Sequence, residues 1–413
     1  MPLRAAEAAL AAVMDDISAR GLTALGAAVS GGGDSLAMLD LAIPLARTRG
    51  LRLEAATVDH GLRPEAAAEA QMVADFCAAR GVAHETLLWR RGEPAGNLSA
   101  EARAGRYAAL TGWGKRRGLA AILIAHNRED VAETFLIRLG RAAGLDGLAA
   151  MAPAFFRNGM QFQRPFLDIP REVLRGHLRR QGIAWAEDPS NSDEGYTRVK
   201  MRRLLDDLAR AGISAKAISQ SARALSDTRA WTERQLQADW AAGVQLQGAD
   251  LLIARLPEDD EAQRRLLIAA LRLIGAGEFA PRREALARLR QSLRDGVQRQ
   301  TLAGCLITQR NGVLRIAREV QAVRGLCAGP GEWWDGRWQI GGIWPEGAVT
   351  APLAEGIAQV KDWRDFTALP RDSLMAGPAL WCEGRLIAAP LARPEPDYPL
   401  LLRKGFGSLP FLH

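Results

Sequence analysis

The chain has 413 residues, 48% of them hydrophobic and 24% charged, with a net charge of +7 at pH 7. That length exceeds one ordinary core and calls for two or three domains, and the composition is that of a globular protein in water. No apolar run approaches the ~20 residues of a membrane helix, which excludes a membrane role, and four cysteines without any CxxC pair exclude a disulfide framework or a zinc site and predict a cytoplasmic location. The surplus of arginine points to a polyanionic partner such as nucleic acid, although an arginine-rich proteome would leave the same mark.

In chain order, residues 1–21 read as an amphipathic helix whose internal acids argue against a signal peptide. Short apolar strands then alternate with longer helical patterns up to about residue 150. Strands at 25–30, 53–59, 83–89 and 120–126 are followed by helices from Asp34, over 64–80, over 97–118 and over 129–140. Such alternation predicts an α/β fold with a parallel, doubly wound sheet covered on both faces. Ligands in sheets of this kind sit at the carboxyl ends of strands.

From 155 the pattern changes. Residues 155–166 carry an Asn-Gly turn between β-prone flanks, a hairpin signal, and a short helix is expected after Pro170. Residues 185–205 run from a polar loop into a basic helix start, 214–245 reads as a long amphipathic helix and 260–294 as more helix. Two β-like runs joined through Asn311-Gly312 follow at 299–319, and six tryptophans crowd the remainder. The expected division is a catalytic domain over 1–215, a mainly helical nucleic-acid-binding region over 216–300 and a small β-rich α+β domain over 301–413. A cluster of tryptophans in so short a segment is expected to form core, although stacking on unpaired bases is the alternative.

The strongest chemical signal is Ser30-Gly31-Gly32-Gly33-Asp34-Ser35, between a strand and a helix. Glycines let backbone N–H groups approach a phosphate, and the helix N-terminus adds its positive dipole end. The lysine of an ordinary phosphate-binding loop is missing. An acid beside such a cradle makes sense when a cation lies between them, so Asp34 is the metal candidate. A tight turn capped by Asp34 is the bland alternative.

This stretch resembles the SGGxDS loop of the PP-loop ATP pyrophosphatases, and further motifs narrow the resemblance. "DHGLR" (59–63), "EARAGRY" (101–107), "AHNREDVAETFLIRLGRAAGLDGLAAM" (125–151), "RPFLDIPREVL" (164–174) and "WAEDPSNSDEGYTRVKMR" (185–202) are similar, in order, to signatures of the tRNA(Ile)-lysidine synthetases. The second half matches more loosely, through "RQTLAGCLI", "WWDGRW" and "LWCEGRLIAAP". The resemblance implies a Rossmann-like PP-loop domain and a ligase that uses ATP and Mg2+. It implies adenylation of the C2 carbonyl oxygen of the wobble cytidine in an isoleucine tRNA and attack on C2 by free L-lysine, giving lysidine and moving codon reading from AUG to AUA. Another PP-loop enzyme, such as a thiolase, and an inactive ATP- or RNA-binding protein are the alternatives. The absence of CxxC and the presence of Asp34, Asp130 and Glu133 weigh against them.

The resemblance assigns catalysis to Asp34, His126, Asp130 and Glu133. The spacing of the last three places them near one face of a helix, although an acidic helix N-terminus serving its own dipole is the commoner meaning. Glu129, where the family usually has a second aspartate, reads as tolerated variation. ATP contacts are expected from Ser30 to Ser35, His60, Arg63 and Arg106. Contacts to tRNA are expected from Arg103, Arg164, Arg198 and Arg202, and from Arg282 and Arg283 in the arginine-rich stretch 281–300, which otherwise reads as a solvated face. A homodimer is left open.

Overall fold

A computed structural model of the chain describes residues 2–61, 65–90, 98–149, 151–187, 197–277, 280–404 and 406. The chain divides into two compact units, 1–229 and 230–413.

The first unit opens with helix α1 (Pro2–Ala19) and then alternates β1 (Ala24–Ala28), α2 (Gly33–Thr48), β2 (Arg52–Asp59), α3 (Glu65–Ala78), β3 (Ala83–Leu88), α4 (Leu98–Arg116), β4 (Ala121–Leu123) and α5 (Arg128–Leu139). A short α6 (Leu145–Leu148), the hairpin β5 (Ala154–Arg157) and β6 (Met160–Gln163), α7 (Arg171–Arg180), α8 (Thr197–Arg210) and α9 (Ala215–Gly243) follow. The sheet runs β3-β2-β1-β4-β6-β5, and every neighbouring pair is parallel except β5 against β6. The hairpin forms where Asn158 and Gly159 both take positive φ, as expected from the Asn-Gly pair. Its second strand then joins the parallel sheet beside β4, so the predicted sheet gains two strands.

β1 is central and buried throughout, which explains its small residues. At Gly26 a Cβ would stand 2.7 Å from the Trp113 ring of α4. Apolar residues of α1, α2 and α7 cover one face of the sheet, and Tyr107, Leu110 and Trp113 of α4 cover the other. Both faces are therefore dry, as a parallel sheet requires.

The boundary between units falls within α9. In the second unit β7 (Val244–Gln247) and β8 (Asp250–Ile253) form a hairpin where no element is expected from sequence, followed by α10 (Asp260–Gly275) and α11 (Arg283–Arg294). Then come β9 (Arg299–Leu302), β10 (Cys305–Arg310), β11 (Val313–Arg318) and α12 (Val320–Val323). The five strands make one antiparallel sheet, β7-β8-β11-β10-β9, packed on α10 and α11. β12 (Trp338–Ile340) and β16 (Leu400–Leu402) pair, and β13 (Val349–Pro352), β14 (Pro378–Cys382) and β15 (Arg385–Ala388) form a last sheet, with α13 (Trp363–Phe366) and α14 (Arg371–Met375) in the connection. Trp334 and Trp338, 1% and 4% exposed, lie in the core as expected, whereas Trp333 stands out at 41%. All four cysteines are free thiols. Among the described residues no helix is long and apolar enough to cross a membrane.

Candidate active site

The site is built at the carboxyl ends of β1 and β4. Between β1 and α2 the chain turns through Ser30, Gly31 and Gly32. Gly31 has φ of +85°, a left-handed conformation that only glycine adopts without strain. The turn is tied internally. Ser35 Oγ donates to the Gly32 carbonyl at 2.9 Å and accepts the Ser30 N–H at 3.1 Å. From the other side the Ala186 N–H donates to the Gly31 carbonyl at 3.0 Å, and a Cβ on Gly33 would stand 3.3 Å from Trp185. No side chain caps α2 at Gly32, so the helix N-terminus is presented bare, as an anion site needs.

Asp34 projects from the first turn of α2. Its Oδ2 accepts from Asn127 Nδ2 at 2.9 Å and from Arg171 Nε at 3.3 Å. Its Oδ1 is buried and has no hydrogen-bond partner among the described residues. Burial drives the Asp34 carboxyl up to about 6, against the pull of Arg171.

α5 begins with a reciprocal cap that fixes the second carboxylate. Asn127 Oδ1 accepts the Asp130 N–H, and Asp130 Oδ2 accepts the Asn127 N–H, each at 3.0 Å. Asp130 Oδ1 then faces Arg171 Nη2 at 3.5 Å. One turn on, Glu133 is fully buried; its Oε1 accepts from Arg202 Nε at 2.8 Å and lies 3.6 Å from Arg171 Nη2. Glu133 Oε2 has no partner among the described residues, and burial together with Asp130 raises its proton affinity. Three carboxylates thus surround one guanidinium. Among the described residues no three such side chains are placed to hold a metal ion by themselves, and the buried, unsatisfied Asp34 oxygen is the donor left open to a cation that brings other ligands with it.

His126 stands apart from this group. It precedes the N-cap of α5 and so does not share the helix face of Asp130 and Glu133, which corrects the expectation from spacing. Burial, with Arg164, Arg106, Arg198 and Arg103 around it, pushes the imidazole well below its ordinary range, and the ring is neutral. Arg164 stacks over Phe155 at 4.1 Å and Arg103 lies over Tyr107 at 5.3 Å. The N-terminus of α5 therefore separates an acidic half-site, suited to cations, from a basic one, suited to phosphates.

Other expected residues fall in several places. His60 follows directly on β2, its ring edge-on to Trp89 at 5.6 Å. Arg63 lies outside the described residues. Arg202 is bound to Glu133 and belongs to the acidic half-site. Arg282 and Arg283 are exposed at the start of α11 in the second unit. Of the other arginines in that stretch, Arg294 pairs with Asp260 at 2.5 Å, Arg290 pairs with the same carboxylate and Arg299 pairs with Asp372 at 2.6 Å.

Residues 3–208 match the PP-loop domain family. Over 380 residues the chain is 42% identical to the tRNA(Ile)-lysidine synthase of Ruegeria pomeroyi, an alignment spanning 89% of this chain and 88% of that one. The chain belongs to the tRNA(Ile)-lysidine synthase family. It is also similar to the family's members from Bradyrhizobium diazoefficiens (38% over 324 residues, 71% of this chain and 89% of that one) and Mesorhizobium japonicum (35% over 377 residues, 86% and 81%). The resemblance read from the motifs is borne out, and it extends over most of the second half, where the motifs matched loosely. In this member of the tRNA(Ile)-lysidine synthase family, the residues that sequence reasoning missed are Arg171, Asn127, Glu129 and the Trp185-Ala186 backing of the loop. Arg171 carried a signal: a cation in the first turn of a helix opposes the dipole and needs a reason to be there. The reason is the three carboxylates. Glu129 is more than variation, since its Oε2 accepts the Arg171 N–H at 2.8 Å and so caps α7.

Proposed function

We propose that this chain ligates free L-lysine to C2 of the wobble cytidine of an isoleucine tRNA at the expense of ATP. The observation that carries the reading is the 42% identity over 89% of the chain to a tRNA(Ile)-lysidine synthase, combined with a carboxylate cluster at the mouth of the PP-loop.

In the first step the cytidine C2 oxygen attacks the α-phosphorus of ATP. The bond to the bridging oxygen breaks and pyrophosphate leaves. The glycine turn and the bare N-terminus of α2 hold phosphate oxygens, Ser30 adds a hydroxyl contact, and Ser35, whose hydroxyl donates to the Gly32 carbonyl, braces the turn. Asp34 would hold Mg2+, which would offset the charge that builds on the departing pyrophosphate. In the second step the lysine Nζ attacks C2 and AMP departs with the oxygen. An amine whose ordinary pKa is ~10.4 must shed a proton to do so. Asp130 and Glu133 attract the ammonium, and Glu133, buried with raised proton affinity, is suited to accept that proton. Neutral His126 sits among Arg103, Arg106, Arg164 and Arg198, whose charges suit phosphates of ATP and of the anticodon backbone.

On this reading Arg282 and Arg283 add contacts to tRNA, and the free thiols support a cytoplasmic setting. Pyrophosphate release tests the first step alone. With ATP, Mg2+ and a wobble-cytidine transcript but no lysine, release stoichiometric with enzyme is expected, and none with a wobble-uridine transcript. Equal release from both transcripts would refute the assignment of the cytidine as acceptor.

A further inference from the structure

Helix α4 carries a row of residues at four-residue spacing, Arg103, Tyr107, Thr111 and Lys115, which runs along the β5-β6 hairpin. Contacts along its length hold it there. Arg157 of β5 lies over the Tyr107 ring at 4.7 Å, and Thr111 Oγ1 donates to the Arg157 carbonyl at 3.4 Å. Lys115 Nζ stands 3.6 Å from where a Cβ on Gly159 would be. Tyr107 packs edge-on against Phe155 and Phe162, at 5.7 and 5.2 Å. Charge is settled differently on the two sides of α4. Arg116 and Arg117, off the row, pair with Glu85 and Glu54 at 2.7 and 2.6 Å. Arg103, Lys115, Arg157 and Arg164 have no ion pair among the described residues, and the three arginines rest instead on the Tyr107 and Phe155 rings. Arg103 and Lys115 are exposed, and Arg157 is half-buried. A guanidinium laid over a ring keeps its in-plane N–H donors for a ligand.

Resting on the ligase reading above, we propose that this ridge carries the sugar-phosphate backbone of the tRNA anticodon arm away from the active site, with Arg157 and Lys115 as phosphate contacts. In a parallel sheet each helix starts at the carboxyl end of the strand before it. The N-terminal end of α4, with Arg103, therefore lies at the end of the sheet that holds the site, and Lys115 lies towards the other end. Arg164 follows directly on β6 and is at the site end as well. From Arg103 to Lys115 the helix covers about 18 Å at 1.5 Å per residue, the span of about five stacked nucleotides at ~3.4 Å each. A wobble nucleotide seated in the site brings its neighbouring phosphates within that reach. Cations gathered without acidic partners repel one another and gain by meeting a polyanion. Such contacts position an RNA without reading its bases, which leaves the choice of wobble base to the active site.

Binding of the full-length protein to an isoleucine tRNA transcript and to its isolated anticodon stem-loop, followed by fluorescence anisotropy across a salt series, tests this. Arg157→Gln and Lys115→Gln are each expected to weaken binding of both RNAs and to flatten the slope of log K against log salt by about 0.7–0.9, with the KM for ATP unchanged. Arg157→Lys keeps the charge and is expected to keep the slope. A purely structural role for Arg157 would lower the melting temperature and leave the slope alone, and that result removes it from the interface. Lys115 is exposed, so its variant does not depend on the packing around Tyr107. An unchanged slope in Lys115→Gln overturns the ridge as an RNA contact. Flattening with the full transcript but not with the stem-loop overturns its placement on the anticodon arm. Flattening in both variants, with no lysidine formed by wild type, would support the contact and refute the ligase reading instead.

Discussion

Asp34 joins the phosphate loop to the acidic cluster, and each of its oxygens has a different fate. One is held by Asn127 and Arg171, while the other is buried without a partner. Asp34→Asn keeps the shape and removes the charge, and is expected to lower pyrophosphate release about 100-fold or more with the melting temperature little changed. Near-normal release would show that the cluster is not where the reaction occurs. Asp130 has two jobs, and they separate by substitution. Asp130→Ala removes both the site charge and the acceptor that completes the α5 cap, costing ~1 kcal/mol of stability as well as activity. Asp130→Asn keeps the acceptor and should lose activity alone, and a comparison of urea midpoints distinguishes the two. His126 gives a pH signature of its own. Its folded pKa lies below the ordinary 6.5, so between the two values the unfolded chain holds the extra proton and stability rises with pH. That contribution is complete above 6.5 and is lost as pH falls through the window beneath it. Urea unfolding at pH 7 and pH 5 should show wild type losing more stability on acidification than His126→Gln. Equal losses would mean that the imidazole is not held neutral by its surroundings.

Elements explain what single residues cannot. The first four strand-helix units were legible because each strand is a short apolar run and each helix opens with polar or acidic residues. The fifth place in the sheet was not. Residues 155–166 carry every mark of an isolated hairpin, and nothing local says that β6 pairs in parallel with β4. The hairpin β7-β8 was missed for a similar reason, since Val244 continues directly from the long helix α9 and its strands take their place from pairing with β11. In the active site, types of residue were readable but their grouping was not. His126, Asp130 and Glu133 have helical spacing, yet the N-cap at Asn127 ends the helix one residue short of His126. Packing between elements is the basis for another expectation. A Cβ at Gly26 would stand 2.7 Å from Trp113 and 2.8 Å from Leu119, with Trp113 wholly buried. Gly26→Ala should therefore cost ~1–3 kcal/mol in chemical denaturation, because neither neighbour has room to retreat. An unchanged midpoint would mean that the space between β1 and α4 is looser than drawn.

Over the whole molecule, charge is the property most relevant to a partner as large as tRNA. The net charge of +7 is spread over both units, and the arginines divide into those with acidic partners in their own unit and those left facing water. Arg282 and Arg283 are in the exposed class. If they meet phosphates, the double variant Arg282→Ala, Arg283→Ala should weaken tRNA binding and flatten the slope of log K against log salt by about 1.5–2. An unchanged slope would remove them from the interface. The second unit was also where sequence was least informative about fold. Its antiparallel strands are three to six residues long, and their partners are set by long-range packing rather than by any motif. The family relation reached that unit through alignment along the chain, where its own motifs were faint.

The central claim is tested most directly by mass spectrometry of the anticodon fragment, cut from an isoleucine tRNA transcript after incubation with the enzyme, ATP, Mg2+ and free lysine. The expected result is a mass gain of one lysine residue, located on the wobble cytidine and absent when either ATP or lysine is withheld. Pyrophosphate released while that cytidine stays unmodified would contradict the account, because the loop would then be activating an acceptor other than the one assigned here.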